Sequence, residues 1–148
     1  MFSYINIVDK KIKQCLDLFF VLKAYKLSAI WSRGRHFRVQ HNDEKRTTYD
    51  SGVSATFDQE TIAGSEQVKK FTYYGHIHQI IGIGFRSFEI HILDVKWYAA
   101  VTEGPRPSIK VAQNGFVVVD STRLWTNQSD TFVFPDQCDQ VCIHTSMK

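Results

Sequence analysis

The stretch that most constrains the fold of this chain spans residues 71–97, FTYYGHIHQIIGIGFRSFEIHILDVKW. Two apolar runs, residues 71–83 and 88–97, flank a short polar turn at Arg86 and Ser87. Runs of this length that are rich in β-branched and aromatic residues, with Gly and Ser at their boundary, predict paired strands. We therefore expect a β-hairpin at the centre of a sheet, with the rest of the chain packed around it.

Length and composition place the chain among globular domains. Its 148 residues fit one domain, and 43% hydrophobic with 14% aromatic residues indicate a packed core. A chain of this size buries enough surface to fold without disulfides or metal. The net charge of +3 is unevenly distributed, because residues 1–50 carry ten Lys and Arg against five Asp and Glu, whereas residues 51–148 carry eight against ten.

Cysteine usage bears on the cellular compartment. Cys15, Cys138 and Cys142 are an odd number with one remote member, which favours reduced thiols in a cytosolic or nuclear setting. The sequence holds no uncharged apolar run of about 18 residues, so we expect neither a spanning helix nor a membrane partner.

Residues 5–27 have apolar side chains at helical spacing, with the lysines near residue 10 mostly away from the apolar stripe. This pattern predicts an amphipathic helix that packs on the following domain, or that exposes residues 18–22 to a partner. The alternative is the apolar core of a signal peptide at residues 15–22. Asp17 lies within this apolar run, and the run begins late, after a charged segment, so both features argue against a signal peptide. We therefore expect a helical appendage within residues 1–30.

Residues 31–50 are the basic part of the chain. Arginines interleave there with Trp31, His36 and Phe37, a composition typical of a phosphate-contacting patch with aromatic side chains that stack on bases. The favoured alternative is a solvated hairpin whose Trp31 and Phe37 belong to the core, because the acidic residues at 43, 44 and 50 dilute the positive field. The candidate nucleic-acid-binding residues are Arg33, Arg35, Arg38 and Arg46.

Turn-forming residues divide the first half of the chain into short segments. We predict a small hairpin with a strand at residues 36–40, a turn at 41–44 and a return strand at 47–49. Another apolar-leaning piece ends at Phe57, and the polar residues 58–67 predict a surface linker.

The second half shows several short strands. Asn-Gly in the turn at residues 113–115, between apolar runs at 109–112 and 116–120, predicts a second hairpin. Further short strands are expected at residues 132–134 and 140–144. Short strands at this spacing are typical of a small barrel or sandwich.

Two patterns contain metal-ligand residue types, namely His76-x-His78 and Cys138-x3-Cys142-x-His144. In a strand His76 and His78 share a face, as a metal pair requires. The alternative is that the cysteines are buried small hydrophobes and the histidines are surface residues, and the spacing matches no zinc knuckle or finger. We expect no metal and no cofactor.

The acidic residues do not form a recognisable catalytic constellation. Divalent-metal chemistry would need carboxylates that converge, whereas these residues mostly flank turns, where Asp has a backbone role. We therefore expect a non-enzymatic domain without a small-molecule substrate. The acidic candidates are Glu89, Asp94, Glu103, Asp120, Asp130, Asp136 and Asp139.

A set of landmarks along the chain resembles a known family. The landmarks include Tyr73-Tyr74-Gly75, Ile80-Ile81, Lys96-Trp97, Asn114-Gly115-Phe116 and Phe132-Val133. They resemble the plant domain of unknown function 4216, which occurs in proteins encoded by CACTA-type (En/Spm-like) DNA transposons. The resemblance covers residues 31–144, with departures such as Gly82 and Gly84, where the family carries acidic or polar residues. It implies a nuclear fragment of a longer transposon protein, and it implies no activity.

These patterns together predict a mainly β fold: a small, antiparallel, partly open SH3-like barrel at residues 68–148, preceded by a basic hairpin and linker at 31–67 and by the helical appendage. We expect a non-catalytic interaction module of a transposon-derived protein in the nucleus or cytoplasm, with other transposon-encoded protein segments or DNA as partners. The candidate contact residues, whose alternative role is core packing, are Tyr73, Tyr74, Trp97 and Tyr98. The alternative function is a DNA-contacting accessory domain of a transposase that uses residues 31–46.

Overall fold

The computed structural model describes residues 21–43, 50–60, 68–85, 87–100, 105–125 and 131–146, and most of these residues form β-strands, which confirms the predicted class. The elements are β1 (Val21–Leu27), β2 (Ala29–Ser32), β3 (Arg35–Arg38), the short helix α1 (Gln40–Asp43), β4 (Gly52–Glu60), β5 (Val68–Phe85), β6 (Glu89–Trp97), β7 (Ile109–Val111), β8 (Val117–Asp120), β9 (Phe132–Val133), β10 (Asp139–Gln140) and β11 (Ile143–Ser146).

The predicted central hairpin is confirmed. Strand β5, which is 18 residues long, pairs antiparallel with β6 from Gly75 opposite Trp97 to Gly84 opposite Glu89. The connection is short, and the Phe85 N–H donates to the carbonyl of Phe88 at 2.8 Å. The register shifts at His78, which places one extra residue in β5 and reverses its alternation of side chains.

The opposite edge of β5 carries two strands in succession. Strand β4 pairs with the first half of β5, from residue 68 to 76, and β1 pairs with residues 80–85. The predicted helix is therefore wrong over residues 21–27, where β1 lies; residues 5–20 are outside the described residues. Residues 21–27 form a strand despite their helical spacing because they pair with the edge of β5 that β4 leaves open. Tyr25 of β1 packs over Gly82 of β5, where an added methyl group would lie 2.7 Å from the tyrosine ring.

The basic hairpin has a different turn from the one predicted. Strand β3 pairs with the preceding β2, not with residues 47–49, and α1 occupies most of the predicted turn. The actual turn is Arg33-Gly34, where φ is 50° and 74°. Two successive positive φ values match a type I′ turn, but Arg-Gly is not among the dipeptides typical of one. The return strand at 47–49 lies outside the described residues.

Strands β7 and β8 form the hairpin predicted from Asn114-Gly115, and Gly115 has a φ of 83°. Strand β11 joins the same small sheet by pairing parallel to β8. The predicted last strand at 140–144 is divided into two, since β10 pairs with β4 and β11 with β8. The predicted linker is also corrected at residues 58–60, which extend β4.

The large sheet packs on both faces. On one face Val53, Ile77 and Val95 are fully buried under Ile30 and Phe37 of the β2–β3 hairpin, and we call this cluster the main core. On the other face Tyr74 and Tyr98 pack against the small sheet through Ile109, Val117, Val119 and Ile143. Among the described strands none of the three sheets closes on itself.

Gly52 generates a test of this packing. Val141 donates its N–H to the Gly52 carbonyl at 3.0 Å, and a methyl group on Gly52 would collide with the Val141 carbonyl oxygen. We expect Gly52→Ala to lower the free energy of unfolding by about 1–3 kcal/mol in urea denaturation, because a backbone atom must move.

Gly84→Ala is the matched control for this substitution. Gly84 lies in the same sheet, and its nearest neighbours are atoms of the flexible Lys23 side chain at 3.1 and 3.3 Å. Equal stability losses for the two variants would contradict the close crossing at Gly52.

Candidate binding surfaces

The predicted arginines all meet carboxylates wherever the structure describes them. Arg33 forms an ion pair with Asp136 at 3.1 Å. Arg35 forms one with Asp139 and also donates to the carbonyl of Cys138 at 3.0 Å. The hairpin tip is thereby fixed to the C-terminal segment, and the positive charge expected there is locally compensated.

Arg38 has a structural position. Its guanidinium is buried, and it lies 3.3 Å from the Asp50 carboxylate. Asp50 also approaches Nδ1 of His36 at 3.0 Å, and Gln140 donates to the backbone carbonyls of His36 and Asp50. Of the predicted nucleic-acid contacts, Arg38 therefore lies inside the fold, and Arg46 is outside the described residues.

Trp31 and Phe37 lie on opposite sides of the β2–β3 hairpin. Phe37 is buried in the main core, as the solvated-hairpin interpretation has it, whereas Trp31 is 72% exposed, so its assignment to the core is wrong. The alternation of a strand explains the difference, because Ile30 and Phe37 pair on the inner side and Trp31 and His36 on the outer side. We call the outer side of this hairpin, at Trp31 and His36, the hairpin surface.

The four predicted contact aromatics differ in their exposure. Trp97 and Tyr98 are buried, and Tyr73 and Tyr74 are half-buried. Tyr98 lies 2.6 Å from Nδ1 of His76, and burial raises the pKa of its phenol. Trp97, Tyr98 and Tyr74 thus take the core-packing role.

A different set of aromatic side chains reaches the surface around Tyr73. Trp125 meets the Tyr73 ring edge-to-face at 5.7 Å, and Phe57 lies 6.1 Å from the same ring. Phe57 and Trp125 are 36% and 37% exposed, and the buried Trp97 ring lies beneath, edge-on to Phe57 at 6.4 Å and to Tyr73 at 6.5 Å. We call Phe57, Tyr73 and Trp125 the aromatic surface.

The sheet register creates the aromatic surface. Residues 53, 55 and 57 of β4 share a face with residues 71, 73 and 75 of β5, so the buried main core continues outward into partly exposed rings. Trp125 comes from a distant part of the chain, and its backbone N–H donates to the Trp97 carbonyl at 2.9 Å. Sequence reasoning missed Phe57 and Trp125, and the run of alternating apolar residues ending at Phe57 is the signal that pointed to the first.

The metal-ligand residue types do not converge. His76 is buried and His78 is exposed, so the prediction that they share a face is wrong, because the bulge between them reverses the alternation. Cys142 and His144 lie 3.8 Å apart, whereas Cys138 is buried in the main core. Within the described ranges no group of three His, Cys, Asp or Glu residues is placed to hold a metal ion.

The acidic candidates have separate local roles. Asp136 and Asp139 pair with arginines, Glu89 lies 3.4 Å from His91, and Asp120 accepts hydrogen bonds from Thr122. Glu103 and Asp130 are outside the described residues.

No family model, no curated protein and no solved structure matches this chain. The resemblance to the transposon-associated family therefore rests on the landmark residues alone. None of the helices in the described ranges has the length and apolar character needed to cross a bilayer.

Cys138 provides a test of the core that supports both surfaces. Burial, with a smaller contribution from Asp139, raises the pKa of its thiol to about 12, so the nucleophilic thiolate is scarce at neutral pH. We expect Cys138 to resist iodoacetamide in the native protein and to react in guanidinium, with the labelled sites read by mass spectrometry.

Alkaline pH extends the same test. Burial raises the pKa of the Cys138 thiol from 9.0 to about 12, so this group adds no pH dependence to the free energy of unfolding below pH 9 and lowers that free energy as the pH rises from 9 toward 12. Native Cys138 labelling as fast as the half-buried Cys142 would contradict its place in the main core.

Proposed function

We propose that this chain is a non-catalytic interaction module of a transposon-derived protein, and that the aromatic surface binds a segment of another transposon-encoded protein. The observation that carries the proposal is the partly exposed set of contacting rings, with Tyr73 edge-to-face to Trp125 and tilted by 45° from Phe57, which the buried Trp97 supports. Binding hot spots in protein interfaces are enriched in Trp and Tyr and lie in well-packed surroundings.

Preorganisation is the physical advantage of such a surface. Edge-to-face contacts hold the rings of Tyr73 and Trp125 in place before a partner arrives, so binding costs less side-chain entropy. The hydrogen bond from Trp125 to the Trp97 carbonyl fixes its backbone in the same way.

The chemistry of the aromatic surface favours a polypeptide as the partner. Phe57, Tyr73 and Trp125 carry no charge and offer no cation to a phosphate, whereas apolar and aromatic anchors of a protein fit against such rings. The transposon origin and the nuclear location come from the resemblance and remain part of the proposal. The partly open SH3-like barrel likewise remains a prediction, since the open sheets support only the mainly β class.

Affinity capture from plant nuclear extract, treated with nuclease and quantified by mass spectrometry, tests the proposal. We expect Trp125→Ala to lose specific proteins that the wild type retains, because truncation of a hot-spot residue costs about 2 kcal/mol or more of binding free energy, roughly thirtyfold in affinity. Phe57→Ala, on the same surface, should lose the same proteins.

Trp31→Ala is the matched control. It removes an equally large ring that is exposed but lies on the hairpin surface, so it should retain the proteins that Trp125→Ala loses. The proposal fails if Trp125→Ala, with an unchanged circular dichroism spectrum, retains the same proteins as the wild type.

A further inference from the structure

Cys142 and His144 form a pair of metal-ligand side chains on the outer face of the small sheet. Sγ of Cys142 lies 3.8 Å from Nε2 of His144. Ile143, the residue between them, is buried against Tyr74 and Tyr98 of the large sheet. Because successive side chains of a strand point to opposite faces, the thiol and the imidazole both point away from that core. Cys142 is half-buried and His144 is exposed, so an ion in solution has access to the pair.

The separation of the two atoms is close to that in a tetrahedral zinc site. Zinc binds cysteine sulfur at about 2.3 Å and histidine nitrogen at about 2.0–2.1 Å, with its ligands at the corners of a tetrahedron. In this geometry a sulfur and a nitrogen ligand are about 3.5–3.6 Å apart. The 3.8 Å between Sγ and Nε2 therefore has to shorten by only about 0.2–0.3 Å for both atoms to bind one ion.

The fold holds both residues in place without a metal. Val117 of β8 donates its N–H to the Cys142 carbonyl at 3.0 Å, and His144 is in register with Val118 of the same strand. The Phe116 ring meets the imidazole edge-to-face, with centroids 5.2 Å apart and planes at 63°. Ligands that are already positioned lose less side-chain entropy when they bind an ion.

One chain supplies only two ligands. In the part of the chain that the structure describes, no third His, Cys, Asp or Glu joins Cys142 and His144, whereas structural zinc is almost always bound by four protein side chains. A second copy offers the same pair with the same spacing. Two thiolates balance the charge of Zn²⁺, and each thiol releases its proton to solvent as the metal binds. The partner also covers Phe116, which is 39% exposed beside the site.

We propose that Cys142 and His144 form half of a zinc site, and that the same two residues of a second copy of this chain complete it. The ion lies on a twofold axis between the two chains, with two thiolates and two imidazoles as its ligands. This inference revises the expectation of a metal-free chain. It does not rest on the proposed function, because the aromatic surface consists of other residues.

Sedimentation velocity of the full chain tests the proposal in zinc chloride, in EDTA and in buffer without either. We expect the metal-free protein to sediment as a 17.1 kDa monomer, and zinc to convert it to a species of twice that mass. EDTA should reverse the conversion, and a phosphine reductant in every sample excludes a disulfide between two Cys142 thiols. After dialysis, the protein should retain one zinc ion for every two chains.

Variants of the two ligands supply the second readout. Cys142→Ser and His144→Ala should each lower zinc affinity by more than about tenfold, the lower limit for loss of a residue that only supports a metal ligand. His144→Cys is the conservative rescue, because four cysteines also form a common structural zinc site. It should restore the zinc-dependent dimer that His144→Ala loses, whereas a purely structural role of the imidazole beside Phe116 would not be rescued in this way.

Cobalt(II) supplies a spectroscopic readout of the same site. A thiolate bound to cobalt gives a charge-transfer band in the near ultraviolet, and tetrahedral coordination gives strong absorption in the visible region. We expect the wild type to show both features and Cys142→Ser to lose the charge-transfer band.

Cys15→Ser with His78→Ala is the matched control, since it removes one thiol and one exposed imidazole elsewhere in the chain. This variant should bind zinc and dimerise as the wild type does. The proposal is overturned if it loses zinc as Cys142→Ser does, if Cys142→Ser or His144→Ala still dimerises with zinc, or if the wild type binds zinc as a monomer. Absence of zinc binding to the wild type overturns it as well.

Circular dichroism of each variant shows that it is folded. No other protein enters these assays, so their failure is separate from failure of the aromatic surface to bind a partner.

Discussion

The continuous backbone pairing of β5 is the constraint on which the rest of the structure depends. Its 18 residues pair with β6 on one edge and with β4 and then β1 on the other. A strand of this length spans the main core and extends beyond it, because each residue adds about 3.3 Å. The extra residue at His78 keeps Ile77 and Ile80 on the same face, so the main core stays continuous across the point where β4 gives way to β1.

Both candidate surfaces are consequences of how this sheet is covered. The β2–β3 hairpin covers the main core with Ile30 and Phe37, and its outer side presents Trp31 to solvent. Toward the other end of the same face, the buried residues continue into Phe57 and Tyr73, whose rings remain partly exposed. The β2–β3 hairpin therefore covers the main core, and aromatic residues at the two ends of the main core remain exposed to a binding partner.

The sequence predicts those parts of the fold that local chemistry determines. The central hairpin and the Asn114-Gly115 hairpin follow from strand pattern and turn residues, which act over a few neighbouring positions. Strand β1 was missed because its helical spacing is overridden by pairing with residues about sixty positions away. The Arg33-Gly34 turn was missed because a positive φ at Arg is unusual. Of the candidate surfaces, the sequence predicts Tyr73, whereas Trp125 and Phe57 are brought beside it only by the tertiary fold, as are the carboxylates that pair with Arg33 and Arg35.

Nuclear Overhauser effects between backbone protons of the isotope-labelled chain test the central role of β5 most directly. We expect cross-strand contacts from Leu27 to Ile80 and from Ala55 to Tyr73, together with contacts from Ile80 to Leu93 on the other edge. A helical pattern of contacts between residues three apart within Val21–Leu27, with none to residues 80–85, would contradict it.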